Sequence, residues 1–188
     1  MKDIQRSNRY HIGIFGRRNV GKSTLLNALT KQDVSIVSDI AGTTTDTVWK
    51  NIELPGIGAA VIGDTAGFDD TGELGNMRNE RTKRAAQQID MALILVNNKP
   101  EDTSYEIEWC DFFRKADIPV IFVLTKCDTD ADTDAGLWRN VFNQEVLEVS
   151  AKENKGIDAL LSKMASLYSK DDNLDDITYS LVETGDVV

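Results

Sequence analysis

The chain carries one histidine, His11, and two cysteines, Cys110 and Cys127, which are not closely spaced. Zinc and iron–sulfur sites are built from clustered thiolates and imidazoles, so this supply argues against either within the 188 residues. The cysteines read as reduced thiols and His11 as a residue opening a strand. No apolar run approaches the length of a bilayer-spanning helix, and the polar start MKDIQRSNRY is not a signal peptide. The expectation is a cytoplasmic protein that does not enter a membrane. Basic residues are also in deficit: 21 Lys and Arg against 31 Asp and Glu give a formal net charge of −10. Sequence-independent binding to nucleic acid depends on cations neutralising phosphates, so direct contact with nucleic acid is not expected. Internal repeats and low-complexity segments are absent. What is present, 41% hydrophobic and 28% charged residues, is the composition of one globular domain with a real core.

Apolar, β-branched runs at His11–Phe15, Ala59–Gly63, Met91–Val96, Val120–Leu124 and Val146–Val149 predict strands. Between them, Lys22–Leu29, about Asn76–Gln88, Ser104–Lys115, Ala135–Phe142 and Ile157–Tyr168 predict helices. Short buried strands alternating with helices imply crossover units and an α/β fold with a mostly parallel sheet. The alternating segment Val48–Leu54, followed by Pro55-Gly56 and a further strand, reads as a hairpin. That hairpin places one antiparallel strand at the edge of a six-stranded sheet. Residues 1–9 read as a tail and 10–169 as the domain. The acidic stretch 170–188 reads as a linker entering a strand whose partner lies elsewhere, or as a frayed tail.

Ligands of open parallel sheets bind at the carboxyl ends of the strands. After the first strand comes Gly16-Arg-Arg-Asn-Val-Gly-Lys-Ser23, with a helix following. Glycines let successive N–H groups face one anion, and the helix N-terminus adds positive potential. Asn19, Val20, Gly21, Lys22, Ser23 and Thr24 are therefore candidate phosphate ligands, with Lys22 reaching the β- and γ-phosphates and Ser23 placed for magnesium. Asp64-Thr-Ala-Gly67 follows the Ala59–Gly63 strand; Asp64 is placed to hold a magnesium-bound water and the Gly67 N–H to contact the γ-phosphate. Between the two lies Ile40-Ala-Gly-Thr-Thr-Thr-Asp46, from which one threonine would ligate magnesium when the γ-phosphate is present. Thr44 is the choice, with Thr43 and Thr45 as neighbouring alternatives.

Thr125-Lys-Cys-Asp128 follows the strand Val120–Leu124. An aspartate there can accept two parallel hydrogen bonds, matching the N1–H and exocyclic amine of guanine and not adenine. Lys126 can lay its aliphatic stem over a base. Thr125 stands where this element usually has Asn; it keeps a hydroxyl and loses an amide, which predicts a weaker link between base loop and phosphate loop. Ser150-Ala-Lys152 follows the strand Val146–Val149, with the Ala151 N–H placed for guanine O6. These elements predict GTP or GDP with Mg2+.

Four such elements in this order resemble a P-loop GTPase G domain of the translation-factor-related class, over essentially residues 10–168. "GRRNVGKS", "SIVSDIAGTTTD" and "DTAG" are closest to the branch containing tRNA-modification and ribosome-assembly GTPases. Within that branch the string is similar to the G domain of the FeFe-hydrogenase maturation GTPases, the HydF family. The features are "IFGRRNVGKS", Thr45 where RNA-linked relatives usually carry Arg, "DTAGFDDTGELG" and the ending "TGDVV". This resemblance implies a scaffold protein in three parts: the G domain, a dimerisation domain, and a domain binding an iron–sulfur cluster. It also implies hydrogenase-maturation enzymes and the hydrogenase as partners of the full protein. The alternative within the same branch is the G domain of a tRNA-modification or ribosome-assembly GTPase.

The position after Gly67, where many GTPases carry a water-orienting Gln, is Phe68, which cannot orient water by hydrogen bonding. Glu73 and Glu80 lie downstream without local features that single out either, and Arg17 and Arg18 read as exposed loop residues. Slow intrinsic hydrolysis is the expectation. Asn19 offers an amide oxygen suited to a monovalent cation, and relatives with this Asn and no catalytic Gln use potassium, often with dimerisation across the switch faces. The competing reading of Asn19 is an ordinary loop residue that tolerates turn geometry.

Overall fold

The structure, a computed structural model, describes residues 9–31, 39–40, 48–64, 86–97, 102–129 and 134–169. Its strands are β1 (Tyr10–Gly16), β2 (Asp39–Ile40), β3 (Val48–Leu54), β4 (Gly58–Asp64), β5 (Met91–Val96), β6 (Val120–Thr125) and β7 (Val146–Val149). The described helices are α1 (Lys22–Thr30), α2 (Ser104–Lys115), α3 (Ala135–Phe142) and α4, residues 157–169. One sheet runs in the order β2-β3-β4-β1-β5-β6-β7. The predicted fold class stands, with six strands where apolar runs placed them and β3 the one running against the rest. The difference is β2, a two-residue strand antiparallel to β3, which takes the edge that β3 was expected to occupy. Two paired residues carry too little pattern to be seen in a sequence.

The strands alternate across two apolar layers. Met91, Leu93 and Leu95 of β5 face one layer, and Ala92, Ile94 and Val96 face the other. A strand buried on both faces must be apolar at every position, which is why MALILV reads as a continuous run. The first layer packs Leu25 and Leu29 of α1, with Ile157, Leu160 and Met164 of α4, against Ile12, Ile14, Ile62 and Val123. These helix positions recur every three or four residues, as one buried helical face requires. The second layer is aromatic. Phe15 packs on Trp109 and Phe113 with ring centres 4.7 and 4.8 Å away, and Phe122 stacks on Phe142 at 3.9 Å. Such pairs add about 0.5–1.5 kcal/mol to their area burial.

Trp49 of β3 lies opposite Gly63 of β4, and its indole occupies the space a side chain at Gly63 would fill, with ring carbons 2.7 Å from that Cβ position. It is half-buried, whereas Trp109 and Trp138 are fully buried in the second layer. The register aligns the carboxyl ends that matter. Asp64 pairs with Ile14, Gly16 with Leu95, Val96 with Leu124, and Thr125 with Val149. The carboxyl ends of β1, β4, β6 and β7 therefore lie together at one end of the sheet.

Candidate nucleotide site

The loop between β1 and α1 turns on Asn19 and Gly21, with φ of 62° and 109°. Glycine takes the second conformation freely, and Asn is among the few side chains that tolerate the first. The backbone geometry thus supplies a reason for Asn19 independent of any ligand. α1 begins after Gly21 with no side-chain cap and no acidic residue in its first turn. An uncapped helix N-terminus without a competing carboxylate is suited to an anion. Lys22 is 7% exposed, and its Nζ donates to the carbonyls of Gly16 at 2.6 Å and Arg17 at 3.0 Å. The ammonium is thereby folded back over the loop it follows.

The base loop is tied to the phosphate loop at two points. The Thr125 hydroxyl, 5% exposed, donates to Val20 O at 2.5 Å and lies 3.2 Å from Val96 O. Lys126, in the left-handed region at φ 60°, donates from Nζ to Asn19 O at 2.7 Å. The link that threonine was expected to weaken is present: its hydroxyl reaches the Val20 carbonyl directly, because β6 ends beside the loop.

Asp128 meets the third element. Ser150 Oγ donates to Asp128 Oδ1 at 2.6 Å and accepts from the Glu153 N–H at 3.2 Å. The Ser150 bond is the main reason the Asp128 carboxyl lies below its ordinary range, and Lys152 and Lys155 lower it further by charge. The turn after β7 closes with paired bonds between Ser150 and Lys155 and returns through Gly156 at φ 75°. A Cβ there would collide with the Glu148 carbonyl. Gly21, Thr24, Leu25, Thr125, Lys126, Asp128, Val149, Ala151 and Lys152 line an open pocket of about 200 Å³ between these loops. Cys127, half-buried beside it, has its thiol pushed up by burial, away from thiolate reactivity.

Of the sequence-predicted residues, the structure brings together Asn19, Val20, Gly21, Lys22, Ser23, Thr24, Thr125, Lys126, Asp128, Ser150, Ala151 and Lys152 on one edge. Asp64 ends β4 on the same edge. Thr43, Thr44, Gly67, Phe68, Glu73 and Glu80 lie outside the described residues. Arg17 and Arg18 are exposed on their loop, as expected, and Arg17 in addition forms a fork with Glu106, a 2%-exposed carboxylate in the first turn of α2, at 2.6 and 3.0 Å. Sequence reasoning missed Glu106, and only its place beside the apolar helix positions Trp109, Cys110 and Phe113 could have marked it as buried.

A parallel sheet with an anion-ready helix start and a carboxylate-bearing base loop defines the class: a P-loop nucleotide-binding domain. The family model described as "50S ribosome-binding GTPase" matches residues 11–126. The chain belongs to that family and is a GTPase domain. It is 35% identical over 158 residues to the tRNA modification GTPase MnmE of Chromobacterium violaceum, covering 84% of this chain and 34% of that protein. GTPase Der of Campylobacter curvus is 33% identical over 164 residues, again 84% and 34%. Among solved structures, an Era variant of Aquifex aeolicus bound to GDP and AlF4− superposes with a TM-score of 0.60 and 28% identity, covering 83% of this chain and 56% of that one. The chain thus spans about a third of the length of the curated relatives it matches.

Proposed function

We propose that this domain binds GTP and GDP with magnesium and serves, within a longer protein, as a switch whose hydrolysis cycle changes partner contacts. The observation that carries guanine choice is Asp128, held as a carboxylate by Ser150 at the mouth of the pocket. Both carboxylate oxygens keep acceptor capacity, since each can take two hydrogen bonds. In this reading Lys126 packs its stem on the base, Ala151 N–H meets O6, and the loop from Asn19 to Thr24 with Lys22 cradles the phosphates. Ser23 and Thr44 would ligate magnesium and Asp64 would hold one of its waters, with Thr43 and Gly67 near the γ-phosphate. Magnesium would supply charge neutralisation on the phosphate oxygens. Competition of GTP against ATP tests base choice; equal affinity for the two would sink it.

Two readings of the longer protein each have a supporting observation. The string "DTAGFDDTGELG", Thr45 and "TGDVV" support the switch domain of a hydrogenase metallocluster maturation scaffold. The names of the relatives support a tRNA-modification or ribosome-assembly GTPase, and the comparisons weigh toward this second reading. The full-length protein, purified without oxygen, decides between them. A stable iron–sulfur chromophore with hydrogenase-activating capacity supports the first, and restoration of tRNA modification in a deficient strain supports the second.

Potassium belongs to the proposal as well. Asn19 O, engaged by Lys126, and the left-handed turn leave the Asn19 amide as the candidate ligand. Hydrolysis should then run faster in potassium than in sodium at equal ionic strength, and Asn19→Ala should erase the difference while largely sparing GDP affinity. Equal rates for the unaltered protein would reduce Asn19 to a turn residue.

A further inference from the structure

Arg17 carries two separate sets of contacts. Its side chain leaves the phosphate loop and reaches a residue 89 positions away, Glu106, through Nε and Nη2. Nη2 also donates to the Asp102 carbonyl at 2.7 Å, and the Tyr105 ring centre lies 5.4 Å from the guanidinium carbon. Glu106 is buried while the Arg17 side chain is 43% exposed. A buried carboxylate needs a fixed cation, and a two-pronged guanidinium contact fixes direction as well as charge. The main chain of the same arginine faces the other way. Its carbonyl accepts from Lys22 Nζ at 3.0 Å and from the Val20 N–H at 3.3 Å, which closes the turn.

We propose that Arg17 and Glu106 form a positioning pair for the phosphate half of the site. The buried carboxylate on α2 holds Arg17, and the Arg17 carbonyl aims the Lys22 ammonium. Gly16 O and Arg17 O each hold the Lys22 ammonium, so a shift of the Arg17 carbonyl turns the whole group. The guanine-reading carboxylate is organised by a different contact, that of Asp128 with Ser150, which does not pass through Arg17. The pair rests on the GTPase reading and adds residues outside the pocket that tune only one end of the nucleotide.

The two halves give the test. The double variant Arg17→Met/Glu106→Leu removes both charges at similar volume and leaves no lone buried carboxylate. Affinities for GDP and for guanosine, which lacks phosphates, are measured by competition, together with the hydrolysis rate. GDP affinity should fall about tenfold, as when a charge-assisted contact is misaimed; the rate should fall too, and guanosine affinity should hold. Arg17→Lys, which keeps the charge without the fork, should show the same selective loss in smaller degree, and it serves alone if the double variant does not fold. Wild-type GDP affinity in the variants, or equal loss for GDP and guanosine, would overturn the proposal. A wild-type protein that binds neither ligand would instead refute the guanine-nucleotide reading itself.

Discussion

Thr125→Val exchanges a hydroxyl for a methyl at nearly constant shape, in a residue 5% exposed. The hydroxyl has one proton, and the short approach to Val20 O shows which carbonyl receives it. Valine removes that donor from a buried carbonyl and places a methyl where the Val96 carbonyl also approached. An unsatisfied buried acceptor costs about 1–3 kcal/mol, and about 2 kcal/mol is a fair working value. For a domain of this size each kcal/mol moves the melting point by about 2–4 °C, so the variant should melt about 4–8 °C lower. The second effect is on binding. Losing the tie between base loop and phosphate loop should weaken GDP, so the rise in melting point produced by saturating GDP should shrink as well. Thermal unfolding with and without GDP measures both effects, and Thr125→Ser, which keeps the hydroxyl, should behave nearly like the unaltered protein. A valine variant that melts with wild type and gains as much from GDP would refute the claim that this hydroxyl joins the two loops.

Asp128→Asn should shift preference from guanine toward xanthine nucleotides, because an acceptor pair becomes a mixed donor and acceptor; competition with XTP checks it. The Asp128 carboxyl is depressed chiefly by Ser150, so its anion persists as pH falls below the ordinary carboxylate range. GDP affinity should therefore decline only as pH drops through that depressed value, and in Ser150→Ala the decline should begin at higher pH; unchanged pH profiles would contradict the assignment. Gly156→Ala forces a Cβ into the Glu148 carbonyl at a positive φ, and should cost about 1–3 kcal/mol or more, read as a lower denaturation midpoint. Since this turn holds Ser150, guanosine binding should weaken with it.

Most of the architecture was legible because burial on both faces writes itself into consecutive residues. MALILV, VIFVLT and the helix Ser104–Lys115 each stand where their apolar spacing placed them. The hairpin of β3 and β4 was legible from alternation around Pro55-Gly56. β2 was not, since Asp39–Ile40 is ordered by pairing with Lys50 and Trp49 rather than by its own pattern. The loop motifs were legible as motifs because their ligand chemistry demands short spacings. What escaped were long-range contacts. Glu106 looks like any helical glutamate until folding brings Arg17 to it, and the hydroxyl of Thr125 gains its role only from the proximity of Val20.

The indole covering Gly63 has a spectroscopic consequence. Trp109 and Trp138 are sealed within the aromatic layer, whereas Trp49 is half-buried on the hairpin that ends, in sequence, at Asp64. Its emission is therefore the one among the three that solvent can reach and that a rearrangement of this hairpin would recolour. With Trp109 and Trp138 replaced by phenylalanine, the protein would carry a built-in optical probe one residue pair away from Asp64, with no attached dye to disturb the nucleotide.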